Sequence, residues 1–294
     1  MSKKIQGVLT AIVTTFDRDG AFNPAAQREQ VKRQLSAGNG IFCGGTNGEF
    51  FVLNEQEKLA VTQTCVDEVN GSAPVVAHIG EISTRETIRL GKQVAKLGVD
   101  AVSVITPYFV PLKQEELIAH YRAVADAIDV PLFLYNIPAR TGNTLQPETV
   151  RTLAAHPNII GIKDSAGSYE SLSGFLQAAV GIDSFDVLNG PDSLIHQGFV
   201  DGCSACISGL ANVAPKEINA IWARFHAGDI EGSRLAQENV TGLRTDLYSV
   251  GFSPAAVKKA VTLLGFEVGD SRYAVSFSAE EEQKIRQIVN QYLQ

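Results

Sequence analysis

Eight short runs of apolar, largely β-branched residues recur along the chain roughly every 25–35 residues, and each is followed by an amphipathic stretch of helical length. The runs are Gly7–Thr14, Gly40–Gly45, Val75–Ile79, Ala101–Thr106, Leu132–Tyr135, Ile159–Lys163, Phe185–Leu188 and Cys203–Ser208. Most are apolar on consecutive residues, not on alternate ones. Strands need that when helices cover both faces of a parallel sheet. Eight β-then-α units in about 220 residues predict an α/β fold, a (β/α)8 TIM barrel. A doubly wound sheet more often has about five to seven strands and a glycine-rich first turn. The sequence contains neither G-x-G-x-x-G nor a Walker loop.

The predicted helices are Asn23–Ser36, Asn54–Val69, Thr84–Lys96, Gln114–Ala127, Gln146–Ala155, Tyr169–Ala179, Ser193–Phe199 and Pro215–His226. Asn54 followed by Glu57 has the spacing of a capping box, in which side chain and backbone satisfy each other's free groups. After His226 the strand pattern stops. Asp229–Tyr248, Ser253–Leu264 and Ser278–Tyr292 read as three further helices. The expected organisation is a catalytic barrel over 1–226 and a C-terminal helical appendage over 227–294, with no long linker and no repeat beyond the β/α unit.

Composition narrows the function classes. With 25 basic and 32 acidic side chains the net charge is −7. This argues against a general nucleic-acid or anionic-membrane binder, because a phosphate surface requires a basic one. Small anionic substrates need only one or two placed cations and stay open. No run of about 18 apolar residues exists to span a bilayer. The start Met1-Ser2-Lys3-Lys4 with Gly7–Val13 resembles a signal peptide only superficially, since Thr14-Thr15-Phe16-Asp17 offers no cleavage site. It reads as a first buried strand, with the cytoplasm as the default location. Four cysteines do not make a disulfide framework in a chain of this length, so the thiols are expected to be reduced.

In such a barrel, chemistry gathers at the C-terminal ends of the strands. Lys163 ends an apolar strand there. An amine with reduced hydration favours its neutral form, which can attack a ketone and form a Schiff base. The bland alternative is a strand-end lysine paired with Asp164. Tyr135 ends the neighbouring strand, and its phenol can give and take a proton, unless it is simply a half-buried core tyrosine. Thr46 follows two glycines, where backbone can approach a ligand closely, or it caps a turn. Arg140, just past a proline-containing turn, can fork onto a carboxylate or stand at the surface. Strands 7 and 8 end in Asn189-Gly190 and Ile207-Ser208-Gly209.

No metal site is expected. His78, His120, His156, His196 and His226 show no paired spacing. Cys203 and Cys206 form one C-x-x-C without a second pair. On a strand an offset of three places them on opposite faces, so they read as small fillers. There is no G-x-S-x-G elbow.

Taken together, these strand ends resemble the dihydrodipicolinate synthase / N-acetylneuraminate lyase family of pyruvate-dependent class I aldolases. Gly45-Thr46-Asn47-Gly48-Glu49 is similar to that family's G-[TS]-T-G-E, Tyr135-Asn136-Ile137-Pro138 to Y-N-x-P, and Gly161-Ile162-Lys163 to G-[IL]-K. The similarity runs from about Ile5 into the C-terminal helices. It implies that Lys163 forms the Schiff base with pyruvate or another 2-oxo acid. Tyr135 then shuttles the proton, held by Thr46, and Thr46 with Asn47 binds the carboxylate. It also implies that Gly190, Ile207 and Ser208 line the substrate, with the backbone near Ile207 closing the pocket. No cofactor is implied, because the imine is itself the electron sink. The partners are then a 2-oxo acid and an aldehyde, in a homotetramer built as a dimer of dimers.

The branch within the family is divided. Arg140 in Ala139-Arg140-Thr141-Gly142 looks like the synthase, where this arginine takes the semialdehyde's carboxylate. Ala77-His78-Ile79-Gly80 looks like the sialic acid lyase, and Gly44–Phe51 like sugar-acid aldolases and dehydratases. Thr106-Pro107-Tyr108-Phe109 departs from the synthase T-P-Y-Y, and Asn47 stands where the family has threonine. The expected reaction is therefore cleavage of a 2-oxo-3-deoxy sugar acid, or a related hydroxy-oxo acid, to pyruvate and an aldehyde. Condensation to 4-hydroxy-tetrahydrodipicolinate is the second reading. Sialic acid cleavage, sugar-acid dehydration and a silent oxo-acid binder are the others.

Overall fold

A computed structural model describes residues 5–293, so the basic start Met1-Ser2-Lys3-Lys4 lies outside the described residues. In chain order the elements are β1 (Gly7–Ala11), α1 (Pro24–Ser36), β2 (Gly40–Cys43), α2 (Glu55–Val69), β3 (Val75–His78), α3 (Thr84–Val94), β4 (Ala101–Ile105), α4 (Gln114–Ala127), β5 (Leu132–Asn136), α5 (Pro138–Thr141), α6 (Pro147–Leu153), β6 (Ile159–Asp164), α7 (Tyr169–Ala179), β7 (Asp186–Asn189), α8 (Ile195–Val200), β8 (Ala205–Ser208) and α9 (Pro215–His226). Three more helices follow, α10 (Ile230–Tyr248), α11 (Ser253–Leu263) and α12 (Ala279–Tyr292). The strands close as a barrel in the order β1-β2-β3-β4-β5-β6-β7-β8. This is the (β/α)8 fold read from the alternation, with the C-terminal helices in place.

Several local choices explain why these segments fold as they do. Strands β1 to β5 are buried on every residue, as a sheet covered on both faces requires. Asn54 and Glu57 form the predicted capping box at the start of α2, and Ser278 with Glu281 forms another on α12. Two expectations shift. The proline turn after β5 is a short helix, α5, with Pro138 at its first turn, where the missing N–H costs nothing. Strand β8 begins at Ala205, so Cys203 precedes it and the opposite-face argument for the C-x-x-C does not apply. Both thiols are nevertheless buried fillers. Burial pushes Cys203 up to about 12, with Asp201 and Asp164 adding to the effect. Burial also raises Cys206.

By compactness the chain divides into two units. Among the described residues, one holds Pro74–Ile207 with Ile5 and Gln6; the other holds Gly7–Ala73 and residues 208–293. In the first, β3 to β8 pair in parallel register. In the second, β1 pairs with β2. Its core includes Val240, Leu243 and Leu247 of α10 and Ala256, Val257, Ala260 and Val261 of α11. Among the described residues no helix is long and apolar enough to cross a membrane.

Candidate active site

In the first unit, register brings the predicted chemistry together. Tyr135 is paired with Lys163, Phe133 with Gly161 and Asn136 with Asp164. Residues two apart on a strand share a face, so Lys163 stands above Gly161 and Tyr135 above Phe133. The Lys163 Nζ lies 4.0 Å from the centroid of the Tyr135 ring. Both side chains are buried, at 4% and 2% exposure. The glycine of Gly161-Ile162-Lys163 has a steric cause. A Cβ there would meet the Asp186 carbonyl oxygen at 2.3 Å and Cε1 of Phe133 at 2.7 Å, so only glycine lets Phe133 fill the layer beneath the amine.

The next register position locks that pair from the opposite face of the strands. Asn136 Nδ2 donates to Asp164 Oδ1 at 2.9 Å, and the Ala166 amide donates to the same oxygen at 3.1 Å. The Leu145 amide donates to Asn136 Oδ1 at 3.1 Å. Asn136 and Asp164 are both fully buried. Burial raises the Asp164 carboxyl above the usual aspartate range, and its hydrogen bonds from Asn136, Ser171 and Ala166 oppose the rise. These bonds engage Oδ1 of the carboxylate with its neighbouring strand and loop. The Gly190 amide donates to the Asp164 carbonyl at 2.7 Å, which fixes the end of β7 beside β6. Ile207 is buried on β8.

One neighbour carried no assigned role in the sequence reading. The His78 ring meets the Tyr135 ring edge-to-face, with centroids 5.9 Å apart. Its signal in the sequence is a histidine closing a strand run. Among the described residues no group of three or more His, Cys, Asp or Glu is placed to hold a metal. Arg140 is exposed on α5. Tyr108 is half-buried, with its phenol pushed up to about 12 by burial and by Glu81. Phe109 is 90% exposed and holds φ at 78°, a left-handed conformation uncommon outside glycine.

The second unit carries the Gly44–Glu49 loop. Thr46 and Asn47 are half-buried in it. The Glu49 amide donates to the Thr46 carbonyl at 3.2 Å, and Thr14 Oγ1 donates to the Gly48 carbonyl at 2.7 Å. The Asn47 carboxamide packs on Gly209, where a Cβ would approach its Nδ2 to 2.7 Å. Ser208 Oγ accepts from the Ala211 amide at 3.0 Å and so caps the turn after β8. Thr46 and Asn47 thus lie on the loop after β2, and Ser208 is the last residue of β8.

A buried amine beside a phenol at adjacent barrel strand ends fits a carbon–carbon lyase of the class I aldolase type. The dihydrodipicolinate synthetase family model matches residues 4–292, and the chain belongs to that family. It is 37% identical over 269 residues to an uncharacterised DapA-like lyase of Halobacterium salinarum, covering 91% of this chain and 87% of that one. It is 38% identical over 261 residues to a 4-hydroxy-tetrahydrodipicolinate synthase of Geobacter sulfurreducens, covering 88% and 89%. The crystal structure of the dihydrodipicolinate synthase of Acinetobacter baumannii complexed with pyruvate superposes with a TM-score of 0.93 at 31% identity, covering 98% of each chain.

Proposed function

We propose that the chain activates pyruvate as an imine on Lys163 and joins the resulting enamine to an aldehyde. The observation that carries this is the Lys163 amine seated on the Tyr135 ring. The neutral amine attacks the ketone carbon of pyruvate and water leaves. Loss of a methyl proton gives the enamine, whose terminal carbon bonds to the aldehyde carbon while the new alkoxide takes a proton. Tyr135 carries protons to and from the carbinolamine and the alkoxide. On this reading Thr46 holds the Tyr135 phenol, and Thr46 and Asn47 bind the pyruvyl carboxylate. Gly190, Ile207 and Ser208 complete the lining. Arg140 takes a carboxylate on the aldehyde. Residues 1–226 act as the catalytic barrel and 227–294 as its support, in a homotetramer built as a dimer of dimers. Neither a metal nor an organic cofactor takes part.

For the aldehyde, relatives named 4-hydroxy-tetrahydrodipicolinate synthase support aspartate semialdehyde. They favour condensation over the sugar-acid cleavage that the sequence placed first. A specific observation keeps the second reading. Phe109 has no hydroxyl where the synthase motif has its second tyrosine, and this favours cleavage of a 2-oxo-3-deoxy sugar acid.

Borohydride reduction in the presence of pyruvate, followed by peptide mass analysis, is expected to place one reduced pyruvyl group on the peptide containing Lys163. An adduct elsewhere, or none, removes the mechanism. Parallel assays of pyruvate with aspartate semialdehyde and with a panel of sugar aldehydes then decide the acceptor. A higher kcat/KM for a sugar aldehyde overturns the synthase reading.

A further inference from the structure

The second unit contains another buried lysine that the chemistry above does not use. Lys258, on α11, is 2% exposed, and its Nζ lies 2.8 Å from Oε1 of Glu49, itself 1% exposed. Glu49 is the last residue of Gly45-Thr46-Asn47-Gly48-Glu49 and holds a left-handed backbone, φ 58° and ψ 36°. Its other carboxylate oxygen, Oε2, accepts from the backbone amide of Arg272 at 3.0 Å. The Arg272 side chain continues the attachment. It donates to the Gly20 carbonyl at 2.6 Å and to Glu57 of the α2 capping box at 2.7 Å. Lys258 and Arg272 both lie against the ring of Phe16, at 3.9 and 4.0 Å from its centroid. A single carboxylate at the end of the loop is therefore gripped twice by the segment that follows the last barrel helix.

A buried pair of this kind contributes little net stability, because removing both ions from water offsets their attraction. What it supplies is geometry, since a carboxylate bonded through both oxygens has one position. Glu49 follows the loop residues Thr46 and Asn47 with only Gly48 between them, and its amide is itself bonded to the Thr46 carbonyl.

We infer that Glu49 is a positioning residue, and that Lys258 and Arg272 of the C-terminal region form a latch on it that sets the Thr46–Asn47 loop for the pyruvyl carboxylate. The inference rests on the carboxylate-binding role proposed for that loop. It gives the C-terminal helices a part in the reaction beyond support.

The test is steady-state kinetics on Lys258→Met and Lys258→Arg, well below their melting temperatures, beside borohydride trapping. Lys258→Met is expected to raise KM for pyruvate tenfold or more while kcat changes less than threefold. It still traps pyruvate on Lys163 at saturating concentration. Lys258→Arg keeps a cation for Glu49 and is expected to recover most of the KM. A Lys258→Met enzyme with wild-type KM overturns the latch, as does a loss in kcat alone. Where Lys258→Met does not fold, the paired neutral variant Glu49→Gln/Lys258→Met decides by the same KM criterion. Absence of trapping in the wild type strikes the imine reading and not the latch, so the two failures are distinguishable.

Discussion

Two lysines are withdrawn from water against aromatic faces, and they keep different company. Lys163 is 4% exposed and 4.0 Å from the Tyr135 ring centroid; Lys258 is 2% exposed and 3.9 Å from that of Phe16. Burial and a cation–π contact are thus common to both and cannot mark a nucleophile. The difference is in the company each keeps. Lys258 faces a phenyl ring and is bonded to the Glu49 carboxylate, so its charge is committed to a structural partner. Lys163 faces a phenol, a ring that stabilises a cation and also ends in an exchangeable proton. An amine that must cycle between neutral and imine states needs the second kind of neighbour.

The largest effect should come from making the two sites alike. Tyr135→Phe gives Lys163 the phenyl neighbour that Lys258 has. It is expected to lower kcat by about 10²–10⁴-fold, the contribution of a positioned acid–base group. Stopped-flow formation of the enamine from pyruvate is the measurement. If the variant turns over within a few-fold of wild type, another group carries the proton, and His78, edge-on to the same ring, is the one to test.

Lys163 was legible in the sequence and Lys258 was not, for physical reasons. An apolar strand that ends in a lysine places the amine at the end of a barrel where chemistry gathers, and the family resemblance of Gly161-Ile162-Lys163 singled it out. Lys258 and Lys259 stand together in a helix, where adjacent charges normally read as a solvated face. The structure buries the first and leaves the second half-buried. Which one turns inward depends on Glu49, more than 200 residues away in sequence, and no local pattern encodes that contact. The barrel followed from period and run length. The Asn136–Asp164 bond did not, because it depends on the register of two strands.

That bond gives the next prediction in size. Asn136→Ala leaves a buried carboxylate short of a donor and the Leu145 amide short of an acceptor. The expected loss is about 1–3 kcal/mol in unfolding free energy, read by urea titration. A stability within experimental error of wild type would show that water replaces the carboxamide. Lys258 gives a pH signature in stability. Burial first of all lowers Lys258 to about 8; Glu49 and Asp270 oppose the shift and Arg272 adds to it. Between that value and the ordinary one near 10.5 the unfolded chain holds a proton that the folded chain has released. Unfolding then takes up a proton, so the contribution of Lys258 to stability rises with pH across that window. Wild-type unfolding free energy minus that of Lys258→Met should therefore increase from pH 8 toward pH 10. A flat or falling difference would show that the ion pair outweighs desolvation.

The smallest expected effect bears on the acceptor. Phe109 is 90% exposed at a left-handed φ of 78°. Neighbouring Asn143 secures its turn, donating to the carbonyls of Pro107 and Val110 at 2.7 and 2.8 Å. Tyrosine has nearly the same shape, so Phe109→Tyr can enter the turn without new strain. If the chain is a synthase, phenylalanine here requires that its protons move by another route, and the added hydroxyl then has little to contribute. Condensation with aspartate semialdehyde should then change by less than about threefold, far below the 10²-fold a missing relay would restore. The check is a coupled assay of condensation and of sugar-acid cleavage on wild type and variant. A large gain confined to condensation would mean that the wild-type chain lacks a relay which that reaction needs. The synthase reading would then give way to sugar-acid cleavage, with Phe109 as the residue that separates the two branches.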